Sequence, residues 1–290
     1  MTRIIEKLAD VSANYDLLLC DLWGCVHDGI RPFPDAVAAL QHYRAGGGTV
    51  VLVTNAPRHR TAVAAQLDKM GLPRDTWDLL VTSGDSARAA MFTGAVGEKV
   101  YFMGQPHDES FFDPMEVIDN PVAITRVPLS EAEGIVCCGP LNPRAPVEDS
   151  RPDLLFAKQK GLKLLCANPD LMVDRGEARE WCAGAVAAEY TKMGGESLYF
   201  GKPHPPIYDL ARRLLAAQGK DFDPARTLAL GDGIHTDIAG AIGEDIDSLF
   251  ITGGLARAET GTKIQPDPDL LRAFTENQQI VPTLVIGMLR

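Results

Sequence analysis

Apolar runs of strand length recur along this chain, and each stops at polar residues that could begin a helix. Leu17-Leu18-Leu19-Cys20 stops at Asp21, Thr49-Val50-Val51-Leu52-Val53 at Thr54-Asn55, and Asp78-Leu79-Leu80-Val81 at Thr82-Ser83-Gly84. Unbroken apolar runs suit strands buried on both faces, whereas strands with one wet face alternate. Helical patterns lie between them. Pro34-Asp35 opens one with Val37, Leu40 and Tyr43 on its apolar face and Gly46-Gly47-Gly48 after it. A second runs from about Arg58 to Met70, with Gly71 and Pro73 as its stop. This alternation implies right-handed crossovers and a doubly wound, parallel-sheet α/β fold with helices on both faces. Ligands of such sheets bind at the carboxyl ends of the strands, where Asp21, Thr54 and Ser83 would converge. N-capping of the following helices is the simpler explanation of any single one of the hydroxyls, and it is their convergence with Asp21 at one edge that favours function.

Residues 1–15 read as a lead-in helix. From about Gly94 to Gly195 the character changes: Lys99-Val100-Tyr101-Phe102-Met103, Gly134-Ile135-Val136-Cys137-Cys138 and Lys163-Leu164-Leu165-Cys166 alternate with Pro-rich loops and helices. Pro140 to Pro152 reads as one long loop, and a helix is expected around Ala178–Tyr190. After Gly194-Gly195 the first pattern resumes: Leu198-Tyr199-Phe200 leads into Gly201-Lys202-Pro203-His204, Thr227-Leu228-Ala229-Leu230 into Gly231-Asp232, and Ile246–Ile251 into Thr252. The last strand candidate is Thr283-Leu284-Val285-Ile286. The expected organisation is a discontinuous core, 1–84 and 196–290, with 85–195 as an inserted α/β domain.

The chain's 290 residues and 46% hydrophobic content are ample for two such domains. A net charge of −11 argues against nucleic acid or an anionic membrane surface as the partner. It leaves room for a small anionic substrate, because a bound metal or a lysine reverses the local sign. No apolar stretch approaches the ~20 residues of a membrane span, and Met1–Lys7 lacks a secretory pattern. The six cysteines form no C-x-x-C pair and sit mostly in apolar runs, as reduced, buried residues would. The expected compartment is the cytoplasm.

Two strands end in Asp21 and Asp232, and Asp237 lies one helical turn beyond the second. Carboxylates brought together repel unless a cation or proton lies between them. Mg2+ suits such a place, since it binds through one or two carboxylates and takes further ligands from water and phosphate. Asp232 and Asp237 also fit the roles of strand-end cap and helix-start acid. Lys202, held between Gly201 and Pro203, could neutralise a carboxylate and a phosphate together, although a lysine in a turn is commonly a solvated charge. Thr54 and Asn55 could donate to a phosphate from a strand-to-helix junction. No G-x-G-x-x-G or G-x-x-x-x-G-K-[ST] motif supports dinucleotide or P-loop binding.

Taken in order, Asp21 in DLWGCVHDG, Thr54 in VTNAP, Lys202 in GKPHP, and Asp232 with Asp237 in GDGIHTD resemble the four motifs of the haloacid dehalogenase-like superfamily. The insert between the second and third motifs resembles that of the class IIA branch, which includes NagD-type and p-nitrophenyl phosphatases. The resemblance implies a Rossmann-like core with a C2-type cap and a Mg2+-dependent phosphohydrolase acting on a small phosphorylated metabolite of the sugar phosphate or nucleotide class. Asp21 would be the nucleophile and form an aspartyl-phosphate. Mg2+ would be held by Asp21, the main-chain carbonyl of Trp23 and Asp232, with Asp237 in support. Thr54, Asn55 and Lys202 would bind the phosphoryl group, and the cap loop at Asn168-Pro169-Asp170 would contact substrate. Relatives of this branch often pair through their caps, so a homodimer of that kind is expected.

One position departs from the pattern. Family phosphatases carry a second Asp two residues after the nucleophile, where it protonates the leaving group and activates water. Here that residue is Trp23, which can do neither. Acid–base assistance is worth ~10²–10⁴ in rate. Three readings stay open: His27 or Asp28 substitutes, the substrate has a leaving group that needs no acid, or the protein binds a phosphorylated ligand without efficient turnover. Trp23 itself reads as a buried structural residue.

Overall fold

Leu17–Cys20 is buried along its whole length, as are Val50–Thr54 and Thr227–Gly231, and this double-sided burial is why these segments lie inside a sheet. The computed structural model describes residues 2–114, 118, 120–175 and 178–290. Across the main sheet the strands run Arg3–Ile4, Leu284–Ile286, Asp247–Ile251, Thr227–Gly231, Leu17–Cys20, Thr49–Thr54 and Leu79–Thr82. The pairings from Arg3–Ile4 through Thr49–Thr54 are all parallel. The chain leaves Leu17–Cys20 toward Thr49–Thr54 on one side and returns on the other at Thr227–Gly231. Asp21 therefore stands where the strand order reverses, the usual ligand crevice of an open α/β sheet.

The described chain divides into two compact units. The first comprises the chain up to Thr54, Ala64–Val81 and Lys202–Arg290. One core layer packs Leu17, Leu19, Val51 and Ala229 against Ile207, Tyr208, Ala211 and Leu215 of helix Pro205–Ala217. Another packs Phe250 and Val285 against Ile234, Ile238 and Leu271. The second unit, Asn55–Val63 and Thr82–Gly201, has its own five-stranded parallel sheet in the order Glu196–Tyr199, Lys163–Cys166, Gly134–Cys137, Lys99–Met103, Thr125–Arg126. Helices Arg151–Gln159 and Ala183–Lys192 cover one face, through Leu154, Ala157, Val186 and Tyr190. Among the described residues no helix is long and apolar enough to cross a membrane.

Several local expectations change. The amino-terminal segment is not a single helix. Arg3–Ile4 pairs with Leu284–Ile286, and the Asp10 carboxylate takes the amides of Glu6 and Lys7, which leaves only the two short turns Leu8–Asp10 and Ser12–Asn14. Ala178–Trp181 is a strand paired antiparallel with Met172–Arg175, so the helix begins only at Ala183. The Pro140–Pro152 loop is shorter than expected, because Val147–Ser150 turns into a helix that starts at Arg151 with Pro152 in its first turn. Glu196–Tyr199, expected to resume the first pattern, pairs instead with Lys163–Cys166, and Lys202 is the first residue back in the first unit.

Candidate active site

Residues from three distant stretches meet beyond the carboxyl ends of Leu17–Cys20 and Thr227–Gly231. The amide of Asp21 donates to the carbonyl of Leu230 at 2.8 Å, which fixes the first carboxylate relative to the strand that delivers Asp232. Lys202 Nζ donates to Asp21 Oδ1 at 2.5 Å and to Asp237 Oδ1 at 2.7 Å. Asp237 sits in the single wide helical turn Ile234–Ile238, and its Oδ2 accepts from the Gly233 amide at 3.1 Å. Asp232 Oδ2 accepts from the Leu255 amide at 3.0 Å. All four side chains are buried. Thr54, the last residue of its strand, is also buried.

Glycines make this crowding feasible. A Cβ on Gly24 would lie 2.1 Å from Asp232 Oδ2, and one on Gly254 would lie 1.9 Å from the same atom. Gly24 also has φ +75°, a conformation that side chains rarely adopt. The Asp232 carboxylate is thus wedged between two backbones with no room for adjustment.

Charge in the site is unevenly compensated. Burial alone would push the Lys202 ammonium down, but Asp21 and Asp237 outweigh it and hold its pKa well above the usual lysine value. Burial raises Asp237 to about 6 even with Lys202 opposing, and Asp21 adds to the rise. Asp232 is pushed well above the carboxylate range by burial and then by Asp21 and Asp237. It has no ion pair with a described residue, and its Oδ1 accepts no hydrogen bond from one. A buried carboxylate in that state needs either a proton or a cation beside it. The oxygen donors of Asp21 and Asp232 fit Mg2+, a hard ion that takes oxygen ligands.

Residues 18–117 match the haloacid dehalogenase-like hydrolase family, and residues 199–276 match the related HAD-hydrolase-like family. A haloacid dehalogenase-like hydrolase from Brucella suis 1330 is 36% identical, with a TM-score of 0.84 over 99% of this chain and 100% of that one. The chain belongs to the haloacid dehalogenase-like hydrolase family. Among curated relatives, the glycerol-3-phosphate phosphatase of Gallus gallus is 28% identical over 252 residues, covering 80% of this chain and 78% of its own. The glycerol phosphate phosphatase of Mycobacterium tuberculosis, solved in complex with magnesium, is 25% identical with a TM-score of 0.63 over 84% of this chain and 70% of that one. With such relatives the chain is a hydrolase of the phosphatase type.

Within this haloacid dehalogenase-like hydrolase, the loop after Asp21 departs from expectation. Trp23 is not buried: it is 38% exposed and meets His27 edge-on at 5.5 Å between ring centroids. Gly29 lies under the Trp23 ring so closely that a Cβ there would come within 2.4 Å of it. His27 is buried, and burial lowers its pKa to about 4, so the imidazole is neutral at pH 7. Its Nδ1 accepts the Gly29 amide at 3.0 Å, which assigns the proton to Nε2. Asp28 Oδ1 accepts the amides of Ile30 and Arg31, and those bonds hold its pKa down. Both groups are committed to the turn in protonation states unsuited to an acid.

The remaining expected residues lie in the second unit. Asn55 Nδ2 donates to Asp170 Oδ1 at 2.8 Å, and Asn168 Oδ1 accepts the Asp170 amide at 3.0 Å. Gly201 belongs to the same group, since a Cβ on it would meet Asn55 Oδ1 at 2.5 Å and Ser83 Oγ at 2.7 Å. Ser83, buried at the start of helix Ser83–Phe92, has no hydrogen-bond partner for its hydroxyl among the described residues. Cys25 was passed over by sequence reasoning as one more buried cysteine. Its Sγ lies 3.9 Å from Asp21 Oδ2. A Cys four residues after the strand-end acid, in a loop turned back by Gly24, was the available signal.

Proposed function

We propose that this protein is a Mg2+-dependent phosphohydrolase that cleaves a small phosphorylated metabolite through an aspartyl-phosphate on Asp21. The observation that carries the reading is the Lys202 ammonium shared between Asp21 and Asp237 at the sheet's switch point, beside a buried Asp232 with no counter-ion among the described residues. One oxygen of Asp21 would attack phosphorus in line while the alkoxide leaves, and water would then hydrolyse the acyl phosphate. Lys202 orients the nucleophile and, with Thr54 and Asn55, would balance the charge that spreads over the phosphoryl oxygens. Asp21, the Trp23 carbonyl and Asp232, with Asp237 in support, would hold Mg2+, which supplies neutralisation of the clustered negative charge. The first unit is the catalytic core in this reading. The second is the cap, which would select the leaving group through Asn168 and Asp170.

The relatives named for glycerol phosphates support a short polyol or sugar phosphate, rather than a nucleotide, as the substrate. Trp23 supports a restriction. His27 and Asp28, the nearest candidates on the loop, are committed to their turn, and Trp23 stands in place of the family's acid. Esters with good leaving groups, such as acyl phosphates and phenol-like phosphates, should turn over best. If even these are not cleaved efficiently, the protein serves as a binder of phosphorylated ligands. A panel of phosphate esters, assayed for phosphate release with chelator and with Mg2+, tests the proposal. Mg2+-dependent release that is lost in Asp21→Asn supports it; release that persists in Asp21→Asn, or that ignores chelator, refutes it.

A further inference from the structure

Between strand Thr49–Thr54 and helix Arg60–Met70, residues 55–59 form neither helix nor strand, so neighbouring elements must place them. The start of helix Ser83–Phe92, in the same unit, meets this loop in three ways. The Gly84 amide donates to the Ala56 carbonyl at 3.0 Å. A Cβ on Gly84 would stand 2.5 Å from the Pro57 carbonyl carbon and 2.6 Å from the Arg58 nitrogen and oxygen, so helix and loop touch backbone to backbone. Asp85, which is buried, takes the far end of the loop. Its Oδ1 accepts the Arg60 amide at 3.4 Å and lies 3.6 Å from His59 Nε2, and its Oδ2 lies 3.8 Å from Arg60 Nε.

Asp85 is itself fixed. Its amide donates to Thr82 Oγ1 at 3.0 Å, and Arg88 Nη1 stands 3.6 Å from its Oδ1. Arg88 is also buried, and it donates to the carbonyls of Phe111 at 2.9 Å and Asp113 at 2.5 Å. The loop thus rests on a helix that is anchored on its other side, which limits how far Asn55 can drift from its bond to Asp170. We propose that Gly84 and Asp85 are positioning residues for phosphate binding: they hold residues 55–60 so that Asn55 meets the phosphoryl group. The proposal rests on the reading that Asn55 binds that group. Neither Gly84 nor Asp85 touches substrate in this scheme. Gly84 is needed because any side chain would push the loop backbone away. Asp85 is needed as a carboxylate because a neutral amide attracts neither guanidinium as strongly.

The test measures binding of inorganic phosphate to the full chain in Mg2+ by calorimetry, with p-nitrophenyl phosphate kinetics beside it. Gly84→Ala and Asp85→Asn, each first checked for a cooperative thermal transition, should raise the phosphate Kd and the KM together by about 10-fold, the effect of losing one hydrogen bond to a charged group. The change in kcat should stay below about 3-fold. Arg60→Gln, at a partly exposed side chain, loosens the same tie and leaves the Asp85–Arg88 pair in place, so it serves where Asp85→Asn fails to fold. Asn55→Ala alone should raise the Kd by a similar factor. In that background Gly84→Ala or Asp85→Asn should add less than about 2-fold, because the loop then has nothing left to position. Effects that multiply in the double variants overturn the proposal, as does an unchanged Kd in the folded single variants. Failure of the underlying reading looks different: Asn55→Ala would then bind phosphate as wild type does, and the proposal would fall with it.

Discussion

Replacing Lys202 by Met isolates the electrostatic core of the site. The residue is 4% exposed, and Met fills similar volume without the charge. In wild type one nitrogen bonds Asp21 Oδ1 at 2.5 Å and Asp237 Oδ1 at 2.7 Å, so these two oxygens lie at most about 5.2 Å apart. At that separation, with an effective dielectric constant of about 20, two bare carboxylates repel by roughly 3 kcal/mol, equivalent to about two pKa units. Breaking a buried ion pair from one side costs about 3–5 kcal/mol by general experience, of the same order. Lys202→Met should therefore be less stable than wild type by an amount in that range at pH 7, read from urea unfolding, and should recover part of it as pH falls and the pair shares a proton. On the proposed mechanism, removing this charge should lower kcat by on the order of 10²–10³. Lys202→Arg keeps the charge but not the compact geometry, so it should recover more stability than activity. Denaturant melts from pH 5 to 8 and steady-state phosphate release are the measurements. A Lys202→Met protein within about 1 kcal/mol of wild type and with near-normal kcat would refute the argument.

Three further outcomes concern the loop and its glycines. On the proposed mechanism Trp23→Asp would supply a general acid and should raise hydrolysis of alkyl phosphates by about 10²-fold or more relative to Trp23→Ala; equal rates in the two variants would show that position 23 is not the limitation. His27 has its folded pKa lowered from 6.5 to about 4, so the stability linked to its neutral form is intact above pH 6.5 and lost as pH falls through about 4. That window is worth roughly 3 kcal/mol, and His27→Gln should flatten the acid limb of the stability profile; an unchanged limb counts against a buried neutral imidazole. Gly254→Ala places a methyl 1.9 Å from Asp232 Oδ2 and should weaken Mg2+ affinity by about 10–100-fold, measured by calorimetry; unaltered affinity would mean that Asp232 does not hold the ion.

Much of the site was legible because its residues mark the ends of buried strands. Asp21 and Asp232 follow apolar runs directly, and a parallel sheet places such ends on one edge whatever the intervening chain does. The same logic correctly gave the strand positions around Leu17, Val51 and Leu230, since burial on both faces leaves a plain local pattern. It failed where pairing partners decide the structure. Glu196–Tyr199 carries no signal of which sheet it joins, and only its pairing with Lys163–Cys166 assigns it to the second unit. Ala178–Trp181 read as helix because its partner strand, Met172–Arg175, was not visible in the local pattern. The Arg3–Ile4 strand depends on a partner about 280 residues away in the chain.

By itself the sequence determined the α/β class, the sheet edge at which the strand-end acids gather and the types of group available there. The tertiary structure decided their relations. Lys202 approaches Asp21 across 181 residues of chain, and that closure, unlike either residue type, makes the ammonium a shared counter-ion rather than a solvated charge. The fold also turned Trp23 outward to 38% exposure, made His27 an acceptor for a turn amide and brought the Cys25 sulfur beside Asp21. Composition and spacing are blind to all three, because side-chain direction in a glycine-turned loop is set by backbone dihedrals and by what packs against it.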